Sequence, residues 1–323
     1  MIEHKDFSFH PCDPAQTDWT ETLFMIFSVP HAGISGNLYT LARPNLGICH
    51  SSIEIHKGIC LEPWKIHHND AQMHLACPKD FSDFSLANGL TFKAHSARDF
   101  HFTYESLDGN CALDLSFKAV CDPFDPHDPE QNPMIGGAQV AGYDGWNNGH
   151  MEGKGRITGW LNLRGKSYEV DCIDGMDKSW GARRDWGNKG ATWVQVSLGE
   201  DLNAFMVFGL RFENKEVVYG PFNYGFVSVN GERRPLVKAT MRAVRTAMLV
   251  MRAEVRFEDD RGEVYEAVGT TVAAAPWYNF NPSSAAFQTL MRWESGAKVG
   301  YSHIADFAGL GYLSEGMADL HDL

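Results

Sequence analysis

The chain lacks most of the features that assign a function at once. Its seven cysteines stand singly at positions 12, 49, 60, 77, 111, 121 and 172, with no C-x-x-C pair and an odd total. That spacing excludes a zinc ribbon, a dithiol redox motif and a complete disulfide framework, so the thiols read as reduced, small and apolar. Basic residues are few: 28 Lys and Arg against 41 Asp and Glu give a formal charge of -13. Such a charge disfavours nucleic acid and anionic membrane surfaces and favours a neutral or cationic small partner. No apolar run approaches the roughly 20 residues that span a bilayer; the greasiest stretch, AMLVMRAEV, is broken by Arg252. The N-terminal MIEHKDFSFHPCDPA has no basic segment followed by an apolar one, so a soluble, cytoplasmic protein without a secretion signal is expected.

Cofactor fingerprints are missing too. GGAQVAG at 136–142 follows a proline-rich loop and precedes no helix, which excludes a dinucleotide or phosphate cradle. There is no Gly-x-Ser-x-Gly elbow and no kinase signature set. HHNDAQMH (67–74) gathers three histidines, yet lacks the i, i+4 pair with a glutamate that a helical zinc site uses. Chemistry without cofactor or metal is therefore expected.

What is present is β structure. The 323 residues exceed the usual size of one compact domain, and strand-length segments are punctuated by turn signals. Asp-Gly in SLDGN (106–110), Arg164-Gly165, Asn-Gly in SVNGE (228–232) and a turn near 259–262 predict hairpins. Residues 235–255 leave helix and strand open, because Leu236, Met241, Val244, Met248 and Met251 fall roughly at helical spacing. Residues 121–150 hold four prolines and predict a long loop ending in Tyr143, Trp146 and His150. The expectation is an all-β chain in two domains, 1–168 and 169–323.

The densest chemistry lies in DGMDKSWGARRDWG, residues 174–187. Three glycines there suggest a sharp aromatic corner presenting carboxyl groups and indoles. Two readings stay open. Asp177 can brace the corner by pairing with Arg183 or Arg184. Alternatively, an aspartate held protonated in an apolar setting can donate a proton, with Trp180 and Trp186 shielding the cation produced.

DGMDKSWGAR resembles the D-H-S-W-G-x-R signature of the AttH-like and carotenoid 1,2-hydratase (hydroxyneurosporene synthase) family. ETLFMIFSVPHAGISGNLYTLARPNLG (21–47) is similar to that family's aromatic strand, Gly-Ile-Ser-Gly strand and Arg-Pro-Asn turn, and MRWESGAKVGYSHIADF (291–307) to its closing strands. The resemblance implies two lipocalin-like (calycin) antiparallel β-barrel or sandwich domains, and relatives that hydrate isolated double bonds or cyclise polyenes. Its aspartate falls on Asp177, serine on Ser179, tryptophan on Trp180, glycine on Gly181 and arginine on Arg183. Lys178 stands where the signature has histidine, so a mechanism needing an imidazole at that position does not carry over.

The function expected from these readings is a hydratase or dehydratase acting on a hydrophobic small molecule. Asp177 or Asp185 would donate the proton, and His303 and Tyr278 would position water. Trp180, Trp186, Arg183, Tyr143, Trp146, Trp277 and Trp293 would line the substrate. An isomerase or cyclase, or a carrier that only binds a hydrophobic ligand, are the alternatives. Whether Trp277 and Trp293 are core or lining stays open.

Overall fold

Residues 19–57 alternate two sets of side chains and fold as three antiparallel strands, β1 (Trp19–Val29), β2 (Ile34–Arg43) and β3 (Ile48–Lys57). Their reversals, Pro30–Ala32 and Pro44–Leu46, are single 3-10 turns. Proline presets φ at the first position of each, and Gly33 and Gly47 close them in the left-handed region. The computed structural model describes residues 2–135, 148–183, 189–213 and 216–317. Two units follow from the contacts along the chain.

In the first unit, β4 (His68–Ala76), β5 (Asp83–Ser85), β6 (Thr91–Ala94), β7 (Asp99–Glu105), β8 (Cys111–Ala119), β9 (Gly149–Leu163) and β10 (Lys166–Ala182) join the first three strands. The order is β4-β3-β2-β1-β10-β9-β8-β7-β6-β5. Asp-Gly joins β7 to β8, and Arg164-Gly165 joins β9 to β10 with φ of 51° and 77°, the two-residue turn whose twist suits a hairpin. The sheet curls on itself, so that His68 on β4 reaches Tyr104 on β7 at 2.9 Å. Inside the curl lies an apolar core that includes Met25, Phe27, Ile55, Phe92, Phe102 and Phe117. Cys49, Cys111 and Cys172 belong to it, and among the described residues no two cysteines are joined by a disulfide.

The second unit is a closed barrel of β11 (Gly190–Ser197), β12 (Leu202–Glu213), β13 (Glu216–Val229), β14 (Glu232–Thr246), β15 (Leu249–Asp259), β16 (Val264–Asn281), β17 (Ser284–Ser295) and β18 (Lys298–Gly309). A helix, α1 (Leu310–Met317), follows. Closure comes from β11, which pairs with both β12 and β18 and removes the sheet edges. The open question at 235–255 resolves as strand, turn and strand. Ala239, Met241, Ala253, Val255 and Phe257 enter the barrel core, while Lys238, Arg242, Arg252, Glu254 and Arg256 point outward, a period of two that a helix would scramble. The predicted Asn-Gly turn joins β13 to β14.

The last segment of the first unit runs from Trp146 to Arg183. β10 runs on because it pairs with β9 from Lys166 to Trp180 and with β1 from Met176 to Ala182. Among the described residues no helix is long and apolar enough to cross a membrane.

Candidate active site

Residues 174–182 are not a bend. They are the second half of β10, a strand with β1 on one side and β9 on the other. Its polar density follows from that place: both faces are covered, so both sets of alternating side chains need partners. Asp174, Met176, Lys178 and Trp180 face the inside of the curl; Asp177 and Ser179 face the opposite side.

On the inner face, Lys178 Nζ lies 2.7 Å from Glu21 Oε2, with the two side chains only 1% and 0% exposed. Glu21 also accepts from the backbone and ring of His10, at 2.6 and 3.2 Å, and from Trp19 Nε1 at 3.4 Å. Burial alone would push the Glu21 carboxyl up, but His10 and Lys178 outweigh it and hold it below its ordinary value. Burial likewise lowers Lys178, against the pull of Glu21. Trp180 stacks on His10 at 3.9 Å with an interplanar angle of 6°, and the ammonium of Lys178 sits 4.9 Å from the indole. The lysine that replaces the signature histidine thus serves a buried ion pair.

On the outer face, one cross-strand row runs Glu152, Asp177, Phe24, Tyr39. The next row holds His150, Ser179 and Thr22. His150 Nε2 is 3.1 Å from Glu152 Oε1, and the ligand atoms of His150, Glu152 and Asp177 all lie within 4.8 Å of one another. Thr22 and Ser179 share a hydrogen bond of 2.7 Å; Arg183 donates through Nη2 to Ser179 Oγ at 2.9 Å, and its positive charge also acts on the Tyr39 phenol. Burial pushes the Asp177 carboxyl up to about 7; the charge of Glu152 adds to this, and His150 and Arg183 oppose it. Burial also pushes Tyr39 up to about 12, so its hydroxyl keeps its proton at neutral pH.

This arrangement combines a partly buried carboxyl that titrates near neutrality, a phenol, a guanidinium and an imidazole. It can deliver and recover a proton while holding an oxygen of a bound molecule. Among the described residues, His150, Glu152 and Asp177 are also the group whose spacing would admit a cation.

The structure brings together Asp177 and Arg183 from the residues expected of the site. It separates Trp180 from them, because positions 177 and 180 differ by an odd number along a strand and face opposite sides. The rings on the Asp177 side are those of Phe24 and Tyr39, 6.4 Å apart edge to face. His303, Tyr278, Trp277 and Trp293 all belong to the second unit. There Trp293 packs in the barrel core with Met291, Trp277 is buried against Phe280 at 4.9 Å, His303 is fully buried and Tyr278 is 53% exposed. Asp185, Trp186, Tyr143 and Trp146 lie outside the described residues. Sequence reasoning missed Tyr39 and Glu152 and left His150 as the end of a loop. The available signal was the alternation His150, Glu152, Lys154, Arg156, a strand with a wholly polar face next to the motif strand.

Two solved structures share this architecture. An AttH candidate from Nitrosomonas europaea matches over 90% of this chain and 92% of its own, with a TM-score of 0.56 at 11% identity. Kievitone hydratase from Nectria haematococca matches over 90% and 89%, with a TM-score of 0.53 at 11% identity. At that identity the likeness is one of fold, and with the curled sheet and closed barrel it makes the units lipocalin-like. No curated protein matches at the level of sequence. Residues 3–306 match the family described as a domain of unknown function, DUF7064, and the protein belongs to that family.

Proposed function

We propose that this protein is a cofactor-independent hydratase or dehydratase acting on an apolar small molecule of terpenoid, polyketide or aromatic origin, with Asp177 as proton donor. The observation that carries the reading is the Asp177 carboxyl, partly buried beside Glu152 and pushed up to about 7. In the hydration direction, Asp177 gives its proton to one carbon of a double bond, and water adds to the other while returning a proton to the carboxylate. In dehydration, the carboxyl protonates the departing hydroxyl and the resulting carboxylate takes the proton from the neighbouring carbon as the double bond forms. Arg183 and Tyr39 hold an oxygen of the substrate, and Phe24 and Tyr39 offer ring faces to positive charge. A positioned carboxyl of this kind contributes about 10²–10⁴-fold, so orientation and electrostatic stabilisation supply the rest. The hydratase among the structures of like fold supports the reaction class, as does the match of Asp177, Ser179 and Arg183 to the signature of the carotenoid 1,2-hydratase family.

The test is Asp177→Asn, assayed on a panel of alkenyl and hydroxylated aromatic and terpenoid compounds for the mass change of one water. Turnover should vanish while ligand affinity stays. A folded, fully active variant would falsify the assignment. Equal loss of affinity and melting temperature would mark Asp177 as a brace in a carrier protein. A chelator should leave activity unchanged; activity lost on chelation and restored by a divalent ion would transfer the role to a cation held by His150, Glu152 and Asp177.

A further inference from the structure

The histidines of HHNDAQMH have no part in the Asp177 site, yet one of them anchors a second constellation. His68 Nε2 lies 2.9 Å from the Tyr104 hydroxyl, and that hydroxyl donates to Asp70 Oδ2 at 2.9 Å. Asp70 also accepts from Gln72 Nε2 at 2.9 Å and from Asn88 Nδ2 at 3.3 Å. A phenol has a single hydrogen, and here it goes to Asp70. His68 must therefore donate through Nε2, which fixes the tautomer and leaves Nδ1 as an acceptor. Burial holds His68 below the ordinary imidazole range against the pull of Asp70 and Asp108, keeping the ring neutral at pH 7.

His68, Asp70, Gln72 and Tyr104 line a cleft of about 350 Å³ together with Asn69, Asn110 and Arg164. Both carboxylates facing it are already engaged. Asp70 has the three donors above, and Asp108 accepts from the Ser106 hydroxyl and from the backbone and amide of Asn110. Arg164 uses Nε on the His67 carbonyl at 2.9 Å, and its Nη atoms hold no other bond among the described residues. The cleft thus offers one ring acceptor and a guanidinium edge. An anion would meet two carboxylates there and a cation would meet Arg164. A vicinal diol satisfies both groups without charge, one hydroxyl donating to Nδ1 and its neighbour accepting from Nη. The geometry points to a second small-molecule site, for a neutral polyol of monosaccharide size, built on the Asp70–Tyr104–His68 chain.

The probe is D-glucose, titrated into protein labelled with nitrogen-15 at histidine, with lactate as the charged comparison. The His68 ring nitrogens should shift saturably with glucose and far less with lactate. His68→Gln keeps a donor toward Tyr104 but lacks Nδ1, and should weaken binding by about tenfold, the effect of one lost polar contact. Arg164→Asn, which tolerates the left-handed turn, should weaken it similarly; if His68→Gln does not fold, this variant decides. No saturable shift at His68, unchanged affinity in the folded variants, or a preference for lactate would each overturn the inference. Asp177→Asn should bind glucose as the unaltered protein does, so the polyol site and the lyase reading stand or fall separately.

Discussion

Replacing Asp177 by Asn separates a proton donor from a brace through the pH dependence of stability. The native carboxyl holds its proton to about pH 7, whereas in the unfolded chain it releases it near pH 4, at about 3.9. Between those values the native state binds more protons than the unfolded state. Stability must therefore fall as pH rises through that window and level off above it. A displacement of about three pH units corresponds to about 4 kcal/mol, an upper bound because water reaches part of the side chain. Asn keeps the shape and cannot ionise, so the variant should lack this slope. The assay is urea unfolding of both proteins from pH 4 to pH 8, with the difference between their curves isolating the one group. A difference that stays flat would refute the argument. So would one of opposite sign, with Asp177 adding stability as pH rises, because that is the signature of an ionised carboxylate paired with Arg183.

Two further outcomes follow from the same strand and its neighbour. Lys178→Met leaves Glu21 buried without its cation and should lower unfolding free energy by about 3–5 kcal/mol, most of which Glu21→Leu added to it should restore; urea midpoints of the three variants check this. Gly155→Ala would place a methyl 2.3 Å from the Phe117 ring and should lose about 1–3 kcal/mol. Gly209→Ala, where the nearest atoms are 3.9 Å away, serves as the control in thermal melts and should stay within about 0.5 kcal/mol.

The hairpins were legible because Asp-Gly, Asn-Gly and Arg-Gly turns constrain the backbone locally, and every one of them is where the sequence put it. The strands at 235–255 were not, because methionine and valine at three- and four-residue spacing satisfy a helix as well as a strand, and only barrel closure chooses. The aspartate and arginine of the site were legible through their motif. Their partners were not: Tyr39 and Glu152 lie 138 and 25 positions from Asp177 in the chain and meet it only by strand pairing. Trp180 shows the opposite failure. Adjacency in sequence suggested a shared pocket, and a single strand sends the two side chains apart.

The two polar networks on β10 make its register unforgiving. Deleting one residue between 174 and 182 would turn the strand over, thrusting the ammonium of position 178 among His150, Glu152 and Arg183 and driving an acid into the phenylalanine-rich interior. Lineages that carry this protein can exchange side chains along that segment, but they have no freedom to change its length.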